Sequence, residues 1–222
     1  FQTSSALFHL LRGDNIGEDF FFYLGVGPAY LLYPFFKLAG GTLSSSVLVS
    51  YLITKVILFL SISILTKLSL NLSLTKTILL ALFFYVVFSF ISPELYSESS
   101  QPGHSLRAIR RFVPIIGAFA LLFLPIIPKG RRAFFLAVIA GLLATWSNDY
   151  GYFAATFLSL YFIYEYFIDS KSLKSLIING IIFATTSIVA YFLIITVLTN
   201  GHALEWITYN FKGVGENQWW YF

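Results

Sequence analysis

The feature that most constrains this chain is a series of apolar runs too long and too free of charge for a soluble domain. Six occur, at 44–66, 77–91, 112–127, 133–146, 150–168 and 176–198. A helix needs about 20 residues to cross the hydrocarbon core of a bilayer, or about 17 at the short end. The shorter runs therefore reach both interfaces only if their flanks extend the helix or snorkel. Charged residues make up 11% of the 222 residues, against about 25% in an ordinary soluble domain. The implied fold class is all-α: a polytopic transmembrane helical bundle.

Charge placement orients the bundle. If the runs alternate, the short connections holding Lys67 and Lys76, then Lys129, Arg131 and Arg132, then Lys171 and Lys174, share one side. The positive-inside rule makes that side cytoplasmic. The other side receives Asp14, Glu18, Asp19, Glu94, Glu98, Asp149, Glu205 and Glu216, with most of the aromatic belt, Trp146, Tyr150, Trp206 and Trp219 among it. The basic residues share no face, so the net charge of +4 is no argument for nucleic acid.

Residues 27–38 are apolar but interrupted by Pro28 and Pro34 and closed by Lys37, Gly40 and Gly41. They either cross the membrane or lie along its outer surface as an interfacial helix, and the prolines and short length favour the second. The chain then divides into an extracytoplasmic N-terminal loop with interfacial helices (1–43), a six-helix transmembrane region (44–199) and an extracytoplasmic loop (200–222). No cysteine is present, which excludes disulfides and thiolate metal sites. The chain opens on Phe1 without methionine or signal peptide and closes on Trp219, Trp220, Tyr221 and Phe222. It is expected to be part of a longer polypeptide.

Three outer segments carry candidate chemistry. Around Asp14, Glu18 and Asp19, carboxylates cluster at the surface, where one can act as general base toward an acceptor hydroxyl; the same Gly, Asn and Asp also make a plain solvated turn. Between 92 and 111, Pro102-Gly103 turns the chain. Arg107, Arg110 and Arg111 then follow at i, i+3 and i+4 spacing on one helix face, with His104 three residues earlier. Guanidinium groups on the outer side run against the charge bias, and bidentate binding of a phosphate or pyrophosphate headgroup would explain them. Snorkelling, or pairing with Glu94 and Glu98, is the other explanation. At 146–151 a minimal connection holds Asp149 close to the membrane surface, as a site residue or as an ordinary turn residue. Within the runs only Lys55 and Glu165 are charged, and no spaced series of acids or histidines marks a proton relay, which argues against a pump. The outer carboxylates could bind a divalent cation, but their spacing forms no recognisable loop, so no cofactor is assigned.

The order of features in 1–70 resembles the first extracytoplasmic loop of the GT-C glycosyltransferases, which include aminoarabinose transferases and protein O-mannosyltransferases. The resemblance rests on Asp19-Phe20, then Gly27-Pro28, then the apolar Leu31-to-Gly40 stretch leading into a span; the later chain is similar by topology alone. Such enzymes transfer sugars from polyprenyl-phosphate carriers on the outer side of the membrane. The resemblance implies that Asp19 matches the second acidic position of that loop and that the first lies upstream of Phe1. It also implies that Arg107, Arg110 and Arg111 hold the lipid phosphate.

The expected function is therefore transfer of a sugar from a polyprenyl-phosphate donor to a lipid or glycan acceptor at the outer face of the plasma (inner) membrane. Asp19 would serve as base, and Asp149 would line the sugar or acceptor pocket. A polysaccharide polymerase or ligase of the O-antigen type, or a non-catalytic transporter or scaffold, are the alternatives. The transporter reading wants broken helices in paired repeats, of which the sequence has no trace.

Overall fold

The computed structural model describes residues 2–21, 25–91, 124–147, 150–168 and 172–217. Among them every regular element is helical: α1 (Gln2–Arg12), α2 (Val26–Leu38), α3 (Leu43–Leu70), α4 (Leu74–Ile91), a 3-10 turn (Leu124–Ile126), α5 (Lys129–Trp146), α6 (Tyr150–Ile168), α7 (Leu173–Leu198) and α8 (Ala203–Asn217). Helices α3 to α7 occupy the first, second, fourth, fifth and sixth apolar runs. Most of the third, 112–127, lies outside the described residues.

Local chemistry sets the helix ends. Thr42 caps α3 with a reciprocal pair: its Oγ1 accepts from Ser45 N at 3.2 Å, and Ser45 Oγ accepts from Thr42 N at 2.8 Å. Asn71, in the left-handed region at φ 45°, stops that helix. Ser172 caps α7 through Ser175 N at 3.3 Å. At the far end of α7, Gly201 (φ +100°) turns the chain and donates its N–H to Thr196 O at 2.8 Å.

Two helices, α3 and α7, are long and apolar enough to cross a membrane by length and composition. Their 28 and 26 residues extend about 42 and 39 Å at 1.5 Å per residue. Only 22% and 17% of their most apolar stretches are buried. The interior helix of a soluble domain would be mostly covered. These helices instead turn continuous apolar surface outward, as in contact with a second apolar phase or partner.

Contacts fix how the helices run. Arg132 of α5 meets Glu165 of α6 at 2.6 Å, and the tight connection after Trp146 makes the two an antiparallel hairpin. Tyr152 pairs with Tyr191 and Phe162 with Phe183, so α6 and α7 are antiparallel as well. Helices α5 and α7 therefore run parallel, brought close by Gly141: a Cβ there would stand 2.6 Å from Ser187 O and 2.7 Å from Ala190 Cβ. Helices α3 and α4 form a second hairpin, with Phe59 and Tyr85 edge to face at 6.1 Å.

One pole therefore gathers the basic residues Lys67, Lys76, Lys129, Arg131, Arg132 and Lys174. The opposite pole is covered by α1, α2 and α8. Their shared core contains Leu7, Ile16, Leu32, Phe36 and Trp206, each no more than 2% exposed. Ser4 ties α1 to the start of α3 through Ser46 (Oγ–Oγ 2.8 Å). The Tyr30 hydroxyl donates to Leu198 O at 2.5 Å, pinning α2 to the end of α7. Helix α2 is 13 residues long, about 20 Å, too short to cross a bilayer core of about 30 Å. The stretch from 200 onward, read above as a loop, contains α8. Ala203, Trp206 and Asn210 share one helix face, and burial of Trp206 holds that face to the cap.

Candidate functional site

The acidic segment at 13–21 is a compact, ordered turn system within the cap. Gly13 (φ +88°) ends α1, and Asp14 N donates back to His9 O at 3.0 Å. Asn15 is the hub. Its carbonyl accepts from Asp19 N at 3.0 Å, its own N–H donates to Asp19 Oδ2 at 2.8 Å, and its side-chain amide donates to Glu18 Oε2 at 3.2 Å. Ile16, fully buried, anchors the turn in the core. Gly17 (φ +96°) packs so close to α8 that a Cβ would stand 3.0 Å from His202 O.

Contacts from the α7–α8 connection and from α8 lock this turn in place. Asn200 Nδ2 donates to Asn15 Oδ1 at 2.5 Å, and His202 Nε2 lies 2.9 Å from Glu18 Oε2. His9 Nδ1 lies 2.7 Å from Asp14 Oδ2, with its ring stacked on Phe20 at 4.5 Å. Phe21 stacks on Tyr209 of α8 at 4.2 Å. The result is two imidazole–carboxylate pairs and one further carboxylate, Asp19, on a rigid base. Glu18 and Asp19 are exposed, so both can reach a solute.

Of the residues singled out from sequence, Asp19 lies in this turn and orders it through Asn15. Asp149, His104, Arg107, Arg110 and Arg111 lie outside the described residues, as do Glu94 and Glu98. Sequence reasoning missed His9 and His202. His9 stands five residues before Asp14, a spacing that a helix end can fold into a pair. His202 is far from Glu18 along the chain, and nothing local announces their contact. Among the described residues no group of three or more His, Asp or Glu could hold a metal ion.

Chemically, such a turn can accept a proton from a hydroxyl, orient it by hydrogen bonding, or balance a developing positive charge. The chain matches no protein-family model, no curated protein and no solved structure.

Proposed function

We propose that this chain is the membrane region of a glycosyltransferase that moves a sugar from a polyprenyl-phosphate donor to an extracytoplasmic lipid or glycan acceptor. In this reading α3 to α7 cross the plasma membrane, with the run at 112–127 as a further span. The basic pole faces the cytoplasm by the positive-inside rule. The acidic pole, with its cap of short helices, faces outward.

One observation carries the reading: Asp14, Glu18 and Asp19 are gathered on an ordered turn at the pole opposite the lysine- and arginine-rich connections. A base for an acceptor hydroxyl has to sit there, where a lipid-linked donor presents its head to water. Asp19 takes that role, and Arg107, Arg110 and Arg111 steady the departing phosphate.

Asp19→Asn tests it well. The asparagine side-chain carbonyl still accepts from Asn15 N, so the turn survives, while the base is lost. Transfer from a radiolabelled polyprenyl-phosphate sugar, in membranes holding the full-length protein, should fall by about 10²–10⁴-fold. Arg107→Ala should raise the donor concentration needed. Full activity in both variants removes the assignment.

A further inference from the structure

Helix α2 lies across the acidic pole. Its first turn packs on the outer ends of α5 and α7: a Cβ at Gly27 would stand 2.6 Å from the Trp146 ring, and Tyr30 bonds to Leu198 O. Its last turn reaches the start of α3. There Phe8 meets Phe36 edge to face at 5.5 Å, and a Cβ at Gly41 would stand 2.8 Å from Leu11 Cδ2. The C-terminal ends of α1 and α2 and the turn into α3 therefore form one tip at the edge of the pole.

The sequence makes this tip unusual. Lys37 is the only charged residue of α2, and the helix is apolar on every side. Such a helix is normally enclosed all round. Here one face is: Val26, Ala29, Leu32 and Phe36 are buried in the core of the cap. Phe35 and Leu38, one turn apart on another face, are exposed. Leu38, at 85%, is the most exposed large hydrophobic side chain among the described residues. Leu11 and Leu43, on the same tip, are exposed as well.

Two observations identify the second apolar phase. Leu43 opens α3, and the exposed Leu48 and Leu52 carry apolar surface on along that helix. The tip is thus continuous with the flank of a membrane-length helix, and a lipid surface wets both without a break. The charges complement such a surface. Arg12 and Lys37, both exposed, close the last turns of α1 and α2, and neither is in an ion pair among the described residues. No acid occurs in 1–13 or in 20–93. Cations set beside exposed apolar side chains are the arrangement that holds anionic headgroups while apolar groups enter the leaflet.

We infer that this tip is a membrane foot: Phe35, Leu38 and Leu43 enter the outer leaflet, and Arg12 and Lys37 bind phospholipid phosphates above them. Gly13 follows Arg12 directly, so the foot fixes the height of the acidic turn over the phosphate plane. The inference rests on the membrane placement proposed above and not on the sugar chemistry.

The test uses single environment-sensitive fluorophores, attached through Ala39→Cys on the tip, Val56→Cys on the exposed flank of α3 and Glu205→Cys on α8. The full chain is reconstituted in vesicles of phosphatidylcholine and phosphatidylglycerol. Quenchers are iodide on both sides of the vesicle, and phosphatidylcholines carrying a doxyl group either near the ester or near the chain end. The Ala39 label should be quenched most by the shallow doxyl lipid and little by iodide. The Val56 label should prefer the deep doxyl lipid, and the Glu205 label should respond to iodide alone. Phe35→Glu with Leu38→Glu should raise iodide quenching at Ala39 to the Glu205 level while leaving Val56 unchanged, which reports that the variant is still inserted. Arg12→Gln with Lys37→Gln should weaken shallow quenching at Ala39. Iodide quenching of Ala39 equal to that of Glu205 in the parent chain overturns the inference. So does protection of Ala39 from every quencher, which would mean that protein covers the tip, and so does a preference for the deep doxyl lipid, which would sink it into the hydrocarbon core. Absence of lipid quenching at Val56 would instead remove the membrane placement.

Discussion

Glu18 and His202 meet at 2.9 Å and so close the acidic turn onto the start of α8. Around this contact Asn15 meets Asn200 and Gly17 packs on the His202 backbone. The candidate base therefore sits on a segment held by residues from a distant part of the chain, and α8 belongs to the architecture of the site.

The Glu18–His202 pair is partly exposed, with side chains 50% and 29% accessible, and such pairs contribute about 0–1 kcal/mol. Glu18→Gln and His202→Ala should each lower the thermal midpoint slightly. Their double mutant should lose less than the sum, by about 0.2–1 kcal/mol. Strict additivity in a thermal-shift double-mutant cycle would mean that the two side chains do not interact.

Alkaline pH should loosen the cap through Tyr30. Burial, and secondarily the neighbouring Tyr33, raise its phenol above the ordinary value of 10.0. The unfolded chain ionises first, so this contribution is complete below pH 10 and is lost as pH rises beyond it. Tyr30→Phe should make the decline in thermal midpoint above pH 10 shallower than in the parent chain. At neutral pH it should cost about 1 kcal/mol for the lost bond to Leu198 O. Parallel alkaline declines would contradict this.

Gly141 sets the α5–α7 distance. Gly141→Ala places a methyl group 2.6 Å from Ser187 O, so the helices must separate, at a cost of about 1–3 kcal/mol. Gly130→Ala, where a Cβ meets nothing within 4 Å, should be neutral by comparison. Equal thermal midpoints for the two variants would show that α5 and α7 are not in close contact.

At the basic pole Arg132 and Glu165 form a 2.6 Å pair, with side chains 21% and 22% exposed. Arg132 Nε also donates to Ile127 O at 3.1 Å. Glu165→Gln should cost about 1.5–3 kcal/mol, the usual worth of a hydrogen bond to a charged group. Exchanging the partners, Arg132→Glu with Glu165→Arg, should recover part of that loss in detergent-solubilised protein.

The long helices were legible because apolar runs with few charges report on burial or lipid contact whatever their tertiary partners. The prolines and short length of 27–38 likewise marked α2 as a segment distinct from the spans. Helix α8 was not legible: its polar and aromatic residues alternate loosely, with Gly213 and Gly215 near its end, and its face is defined by the pocket that receives Trp206. The same holds for the site. The carboxylates of 14–19 stand out as a cluster, but the partners that order them, His202 and Asn200, come from a long-range contact that no local spacing encodes. The arginines at 107–111 were singled out by their position against the charge bias, a signal of sidedness that carries no geometry.

Sidedness is the central claim, and single-cysteine labelling reads it directly because the chain has no cysteine of its own. Glu205→Cys marks the acidic pole; Lys76→Cys and Lys174→Cys mark the basic one. In right-side-out membrane vesicles an impermeant maleimide should label the Glu205 variant at once, and the two lysine variants only after permeabilisation. Labelling of all three from the same side, or of the lysine variants alone from outside, would contradict the account.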